Sequence, residues 1–98
     1  MNHMKAEETL QSIADWCDAT FGPCKIPRII SRAREEFDEL EEEDADTATE
    51  AADVIICLAR VPGVAEAIQR KMAVNRERKW RMNGDGTGYH IPSDKIGK

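Results

Sequence analysis

Apolar residues recur every three or four positions along most of the chain, a spacing that predicts amphipathic helices. The first helix is predicted from about Met4 to Ala19, where Leu10, Ile13 and Cys17 share one face and polar residues separate them. The segment Phe21-Gly22-Pro23 ends this helix, because glycine and proline interrupt helical geometry.

Three further helices are predicted by the same spacing and by capping residues. They run from about Pro27 to Glu43, from about Thr47 to Arg60 and from about Val64 to Met82. The connection between the second and third helices is short enough to require an antiparallel return. The third helix is apolar on nearly every side, which predicts that it is the most buried.

This pattern predicts an all-α fold that resembles a four-helix bundle. No segment shows sustained alternation of apolar and polar residues, so the sequence gives little support for strands. From Asn83 onward, glycines are too frequent for a helix. We therefore expect a helical domain over residues 1–82 and a glycine-rich C-terminal tail over residues 83–98.

Composition adds expectations about assembly and location. A chain of 98 residues forms a small core, so we expect a homodimer or homotetramer that buries the remaining apolar surface. The net charge of −5 and the pI near 5.0 argue against a nucleic acid polymer or an anionic membrane as partner. The absence of a bilayer-length apolar stretch and of a signal-like N-terminus predicts a cytoplasmic protein. The three cysteines form no CxxC pair and are interpreted as reduced packing residues.

The net charge conceals two oppositely charged segments. Nine of the twelve residues from Glu35 to Asp46 are acidic, whereas six of the twelve from Arg70 to Arg81 are basic. A complex of a metal ion and a triphosphate requires one surface of each sign.

The acidic segments carry two carboxylate pairs with the same spacing. Glu36 and Glu39 are three residues apart on the second helix, as are Glu50 and Asp53 on the third, so each pair lies on one helical face. Glu36 and Glu50 border the predicted buried stripes, which consist of Ile29, Ala33, Phe37 and Leu40 on the second helix and of Ala51, Val54, Leu58 and Val61 on the third.

If the two helices pack across these stripes, the four carboxylates converge and repel one another unless a cation joins them. Oxygen ligands without histidine or thiolate favour Mg²⁺ or Mn²⁺. The alternative is that the acidic runs are solvated helix faces. Asp53 argues against this alternative, because it interrupts an apolar helix where an ionised carboxylate is costly unless it is paired or bound to a metal.

Phosphate and base contacts are predicted from the fourth and first helices. On the fourth helix, Lys71, Asn75 and Arg78 continue an apolar stripe and are followed by Lys79, so we expect them to face bound phosphates. Lys71, Arg78 and Lys79 are also compatible with ion pairs to the acidic hairpin or to Glu77. On the first helix, Trp16 could stack on a nucleobase with Ser12 and Asp15 beside it, although an aromatic residue there is also typical of a core.

These carboxylates and cations resemble the MazG-like all-α NTP pyrophosphohydrolase family. Glu35-Glu36-Phe37-Asp38-Glu39 matches the EExxE motif of that family, and Glu50-Ala51-Ala52-Asp53 matches its ExxD motif. The resemblance continues through Lys71 and the segment from Asn75 to Trp80. The compact chain is similar to bacteriophage members, including the MazZ branch, which acts on dGTP and GTP.

The resemblance implies a function and a set of roles. Glu36, Glu39, Glu50 and Asp53 would hold magnesium, and Glu35 would support them by orienting or deprotonating the attacking water. The substrate would be a nucleoside triphosphate, cut to its monophosphate and pyrophosphate, in the host cytoplasm if the protein is from a phage. The competing interpretation is a non-enzymatic acidic helical module that binds a basic partner through the segment rich in glutamate.

Overall fold

The computed structural model describes residues 7–92, within which the chain forms four α-helices and one β-hairpin. The elements are α1 (Leu10–Phe21), α2 (Ile26–Leu40), α3 (Thr47–Leu58), α4 (Val64–Glu77), β1 (Trp80–Met82) and β2 (Gly88–His90). The mostly helical fold class is therefore confirmed. None of the helices in this range is both long and apolar enough to cross a membrane.

The chain divides into two compact units between Glu66 and Ala67. The first unit contains α1, α2, α3 and the start of α4, and the second contains the rest of α4 and the hairpin. The predicted domain boundary after residue 82 remains a prediction.

The start of α1 is set by a capping box. The Thr9 hydroxyl accepts a hydrogen bond from the Ser12 amide at 2.9 Å, and the Ser12 hydroxyl accepts one from the Thr9 amide at 2.8 Å. These bonds satisfy amides that lack a helical partner, so the helix begins at Leu10. The predicted start near Met4 lies outside the described residues, and 7–9 are not helical.

The second and third helices each end two or three residues earlier than predicted. The second helix, α2, has Pro27 in its first turn as expected but ends at Leu40, because further acidic residues would face the negative end of its dipole. The third helix, α3, begins at Thr47 as expected, with Asp46 as its cap, and ends at Leu58 before the turn that leads into Pro62-Gly63.

Two predictions for the C-terminal part of the chain are wrong. The fourth helix ends at Glu77 and not near Met82, and the glycine-rich segment that follows belongs to a β-hairpin. Strands β1 and β2 pair antiparallel, with Arg81 opposite Tyr89. The Trp80 indole N–H donates to the Asn75 carbonyl at 2.8 Å, and its ring packs edge-on against His90. Both glycines between the strands, Gly84 and Gly86, have positive φ angles, which allow the turn. The strands are too short for alternation to reveal them.

The core of the first unit is small and lies mainly between α2 and α3, which form the most extensive helix contact. Its buried apolar residues are Cys17, Ile29, Ala33, Val54 and Ala59. The prediction that α3 is the most buried helix is wrong, because α3 buries one residue, Val54, whereas α2 buries three.

The buried stripe of α2 also differs from the prediction. Glu36 is only 7% exposed, whereas Phe37 is 47% exposed. Ile29, Ala33 and Glu36 follow steps of four and three, which keep one helical face, so the stripe turns toward Glu36 where Phe37 had been expected. A carboxylate thus occupies the end of the α2 core face.

Candidate active site

Three carboxylates converge where the end of α2 meets the start of α3. Glu36, Glu39 and Glu50 each place one oxygen within 4.8 Å of the others. The short connection between the helices brings the last turn of α2 beside the first turn of α3, so the two pairs predicted from their spacing lie close in space. We call these three residues the carboxylate cluster.

Glu50 is the least compensated member of the cluster. Its Oε1 atom is buried and has no hydrogen-bond partner among residues 7–92. Burial raises the pKa of this carboxyl, and the negative charges of Glu39, Asp53 and Glu36 raise it further. A buried acceptor without a partner costs free energy, and a hard divalent cation would relieve both the missing contact and the repulsion. The donor set therefore fits Mg²⁺ or Mn²⁺.

Glu36 is paired with an arginine of its own helix. Arg32 donates from Nη2 to Glu36 Oε2 at 2.7 Å and from Nη1 to Glu35 Oε1 at 2.6 Å. Arg28 also donates to Glu35, at 3.1 Å. The guanidinium of Arg32, followed by that of Arg28, lowers the pKa of Glu35. Glu35 thus lies outside the cluster, in an ion-pair network that makes it a weaker base.

Asp53 lies one turn beyond Glu50 and lines a cavity of about 640 Å³ together with Glu36. The structure thus brings three of the four predicted metal ligands into one cluster and places the fourth beside it. The cavity is also lined by Arg28 and Arg32 of α2 and by Trp16 in the middle of α1. Its volume lies within the range typical of small-molecule sites.

The aromatic part of the cavity comes from the second half of α1. Trp16 is 59% exposed and packs edge-to-face against Phe21, with ring centroids 5.6 Å apart. Trp16 is therefore not a core residue, and its indole is accessible. Ser12 and Asp15 do not line this cavity: Ser12 belongs to the cap of α1, and Asp15 accepts a hydrogen bond from Gln11 at 2.9 Å.

Arg60 and Cys57 also belong to the cavity wall. Arg60 donates to Asp18 Oδ1 at 2.8 Å and to the Gly22 carbonyl at 2.5 Å, so it ties the end of α1 to the end of α3. Cys57 is half-buried, and burial raises the pKa of its thiol despite the nearby charge of Arg32.

The predicted phosphate-binding residues Lys71, Asn75, Arg78 and Lys79 belong to the second unit. Lys71 and Lys79 are exposed, whereas Asn75 and Arg78 are partly buried. Their approach to the carboxylate cluster remains a prediction.

The sequence interpretation missed most of the cavity wall as part of a site, including Phe21, Arg28 and Arg32. A signal for the arginines was available, because Arg28 and Arg32 precede Glu36 by eight and four residues and so share its helical face. No comparable spacing identifies Phe21, which is the last residue of α1.

The raised pKa of Glu50 leads to a prediction about the stability of the metal-free protein in EDTA. A carboxyl whose pKa is raised on folding destabilises the fold once it ionises, so its contribution becomes more unfavourable as pH rises through the folded pKa. Glu50→Gln should therefore be more stable than the unchanged protein at pH 8, and this difference should shrink toward pH 5. Thermal unfolding across this pH range measures it.

Glu43→Gln is the control, because Glu43 is exposed and lies outside the cluster. Equal pH dependence of the stability change in both variants would contradict the account of Glu50.

The comparisons with known proteins give one informative match. The chain is 37% identical over 84 residues to the dATP/dGTP diphosphohydrolase of Salmonella phage PMBT28. This match covers 81% of the chain but 29% of the relative, so the chain corresponds to less than a third of that protein. No protein-family model and no solved structure matches. Over most of its length, the chain is thus similar to part of a phage protein named as a dATP/dGTP diphosphohydrolase.

Proposed function

We propose that the chain is a MazG-like nucleotide pyrophosphohydrolase that converts a nucleoside triphosphate to its monophosphate and pyrophosphate. The observation that carries this proposal is the carboxylate cluster of Glu36, Glu39 and Glu50, with its unpartnered Glu50 oxygen, beside a cavity of nucleotide size. The phage relative, named for a diphosphohydrolase activity, supports the same reaction class.

Magnesium, or manganese in its place, is the cofactor that the site favours. Glu36, Glu39 and Glu50 would hold it, with Asp53 as a further ligand from the cavity wall. The ion would neutralise charge on the phosphate oxygens and lower the pKa of the attacking water. Glu35, already ionised between two arginines, is proposed as a supporting group that orients water.

The substrate is proposed to be a purine nucleotide, with dGTP and GTP as the preferred forms. The relative's name specifies dATP and dGTP, which supports a purine. The accessible Trp16 ring, held by Phe21, offers a surface for stacking on the base. Lys71, Asn75, Arg78 and Lys79 are proposed as additional phosphate contacts.

Substitution of the carboxylates tests the activity directly. Glu50→Gln and Asp53→Asn should each lower magnesium-dependent pyrophosphate release from dGTP by about 100-fold or more, because each loses a charged group that would face the metal. Release of pyrophosphate from dGTP, GTP, dATP and other triphosphates, measured with and without magnesium, checks this. Circular dichroism verifies that the variants remain folded.

Asp38→Asn is the matched control, because Asp38 is an exposed carboxylate of α2 outside the cluster, and it should keep full activity. Loss of activity in the control as well, or turnover in either cluster variant near that of the unchanged protein, would overturn the ligand set. A chain that releases no pyrophosphate and gains no thermal stability from magnesium and a non-hydrolysable triphosphate would instead be the non-enzymatic acidic module.

The stacking role of Trp16 makes a separate prediction. Loss of a base–aromatic stack costs about 1–3 kcal/mol, so Trp16→Ala should raise KM for dGTP roughly ten-fold, with a smaller change in kcat. Trp16→Phe, which keeps an aromatic face, should restore most of the affinity. Steady-state kinetics give both constants, and equal KM values for all three proteins would exclude the stack.

We also propose a homodimer or homotetramer, located in the cytoplasm. Large apolar side chains remain exposed on the helices of the first unit, including Phe37 at 47% and Ile55 at 54%. A second copy of the chain would bury them, as small helical domains commonly do.

Light scattering should therefore give a mass of two or four chains. Ile55→Ser should shift the population toward monomer, since it removes apolar surface from the contact. A monomeric unchanged protein would contradict the assembly proposal without affecting the carboxylate cluster.

A further inference from the structure

Two arginines line the cavity beside the carboxylate cluster. Arg28 and Arg32 lie on α2, eight and four residues before Glu36, which is roughly 12 and 6 Å along the helix axis. Both line the same cavity as Glu36, Asp53 and Trp16. A row of positive charge therefore adjoins the acidic end of the cavity within a single compact unit.

The hydrogen bonds of Arg28 leave much of its guanidinium free. Within residues 7–92, it donates only from Nη1, to Ser31 at 2.9 Å and to Glu35 at 3.1 Å. Its Nη2 and Nε groups make no bond in that range. Since a guanidinium has five N–H donors in one plane, Arg28 can bind a further anion without releasing Glu35.

Arg32 has a second role that follows from its partners. It holds Glu36 through Nη2 and Glu35 through Nη1, so it fixes the orientation of a buried carboxylate of the cluster. Only one oxygen of Glu36 is engaged in this way, which leaves the other oxygen for the cluster.

Structural stability alone gives a weak reason for the ion pairs that Arg28 and Arg32 form with Glu35. The ion pairs of Arg28 and Arg32 with Glu35 are about half exposed, and exposed ion pairs contribute little to folding. Guanidinium groups bind phosphates as well as carboxylates, because both anions accept two parallel hydrogen bonds from the planar donor. A free anion would be repelled by Glu36 and Asp53, whereas a phosphate that carries a divalent cation would not.

We infer that Arg28 and Arg32 bind the phosphate chain of the nucleotide, and that Arg32 in addition positions Glu36. This inference rests on the proposed function and specifies its phosphate site. It places phosphate contacts on α2, in the same unit as the carboxylates, in addition to the predicted contacts from α4 (Lys71 and Asn75) and from the two residues after it (Arg78 and Lys79).

The test compares Arg28→Ala, Arg32→Ala and Arg32→Lys with Arg34→Ala. Arg34 is the matched control, because it lies on the same helix, is exposed and does not line the cavity. Calorimetry with magnesium measures the affinity for a non-hydrolysable dGTP analogue and for dGMP, and steady-state assays give kcat and KM.

Arg28→Ala should weaken binding of the triphosphate analogue roughly ten-fold or more and binding of dGMP much less, since charged hydrogen bonds to phosphates are lost. Arg32→Ala should show the same selective loss together with a lower kcat, and Arg32→Lys should recover part of the affinity. Arg34→Ala should match the unchanged protein in every measurement.

Equal losses for the triphosphate and the monophosphate would indicate a merely structural role and overturn the inference. The inference would also be overturned if the Arg28 and Arg32 variants behaved like Arg34→Ala while the unchanged protein is an active enzyme. That result would leave the proposed function intact. If the unchanged protein binds the analogue through these arginines but releases no pyrophosphate, the proposed function fails and the phosphate site stands.

Discussion

The repulsion among carboxylates at the junction of α2 and α3 is the constraint on which the rest of the first unit depends. Packing of the two helices buries Glu36 and brings it close to Glu39 and Glu50. On the α2 side, the ion pair between Arg32 and Glu36 offsets part of this repulsion. On the α3 side, the buried Oε1 atom of Glu50 has no hydrogen-bond partner within residues 7–92. The fold thus tolerates an unfavourable arrangement that has no benefit for packing, which is characteristic of a functional site.

Much of this arrangement could be predicted from the sequence, because it depends on local spacing. Caps and prolines defined the starts of α2 and α3, and the three-residue spacing of each carboxylate pair identified Glu36, Glu39 and Glu50 as neighbours. The rotation of the α2 stripe from Phe37 to Glu36 could not be predicted, since it depends on which surface α3 offers.

Features that depend on contacts between residues distant in sequence were harder to predict. The hairpin is held by pairing of three-residue strands and by the Trp80 indole bond, neither of which leaves a periodic signal. The cavity likewise combines the end of α1 with α2 and α3, so Phe21 joins it through tertiary packing rather than through spacing. Trp16 was predicted as a base contact, but the partners expected beside it, Ser12 and Asp15, serve the local structure of α1.

The half-buried Cys57 has a chemical consequence for the cavity that it lines. Because burial raises the pKa of its thiol, the sulfur stays protonated at neutral pH and is a poor nucleophile. Peroxides and electrophiles react with thiolates far faster than with thiols. The Cys57 sulfur can therefore line the cavity near Arg32, Glu36 and Asp53 with low reactivity toward these reagents.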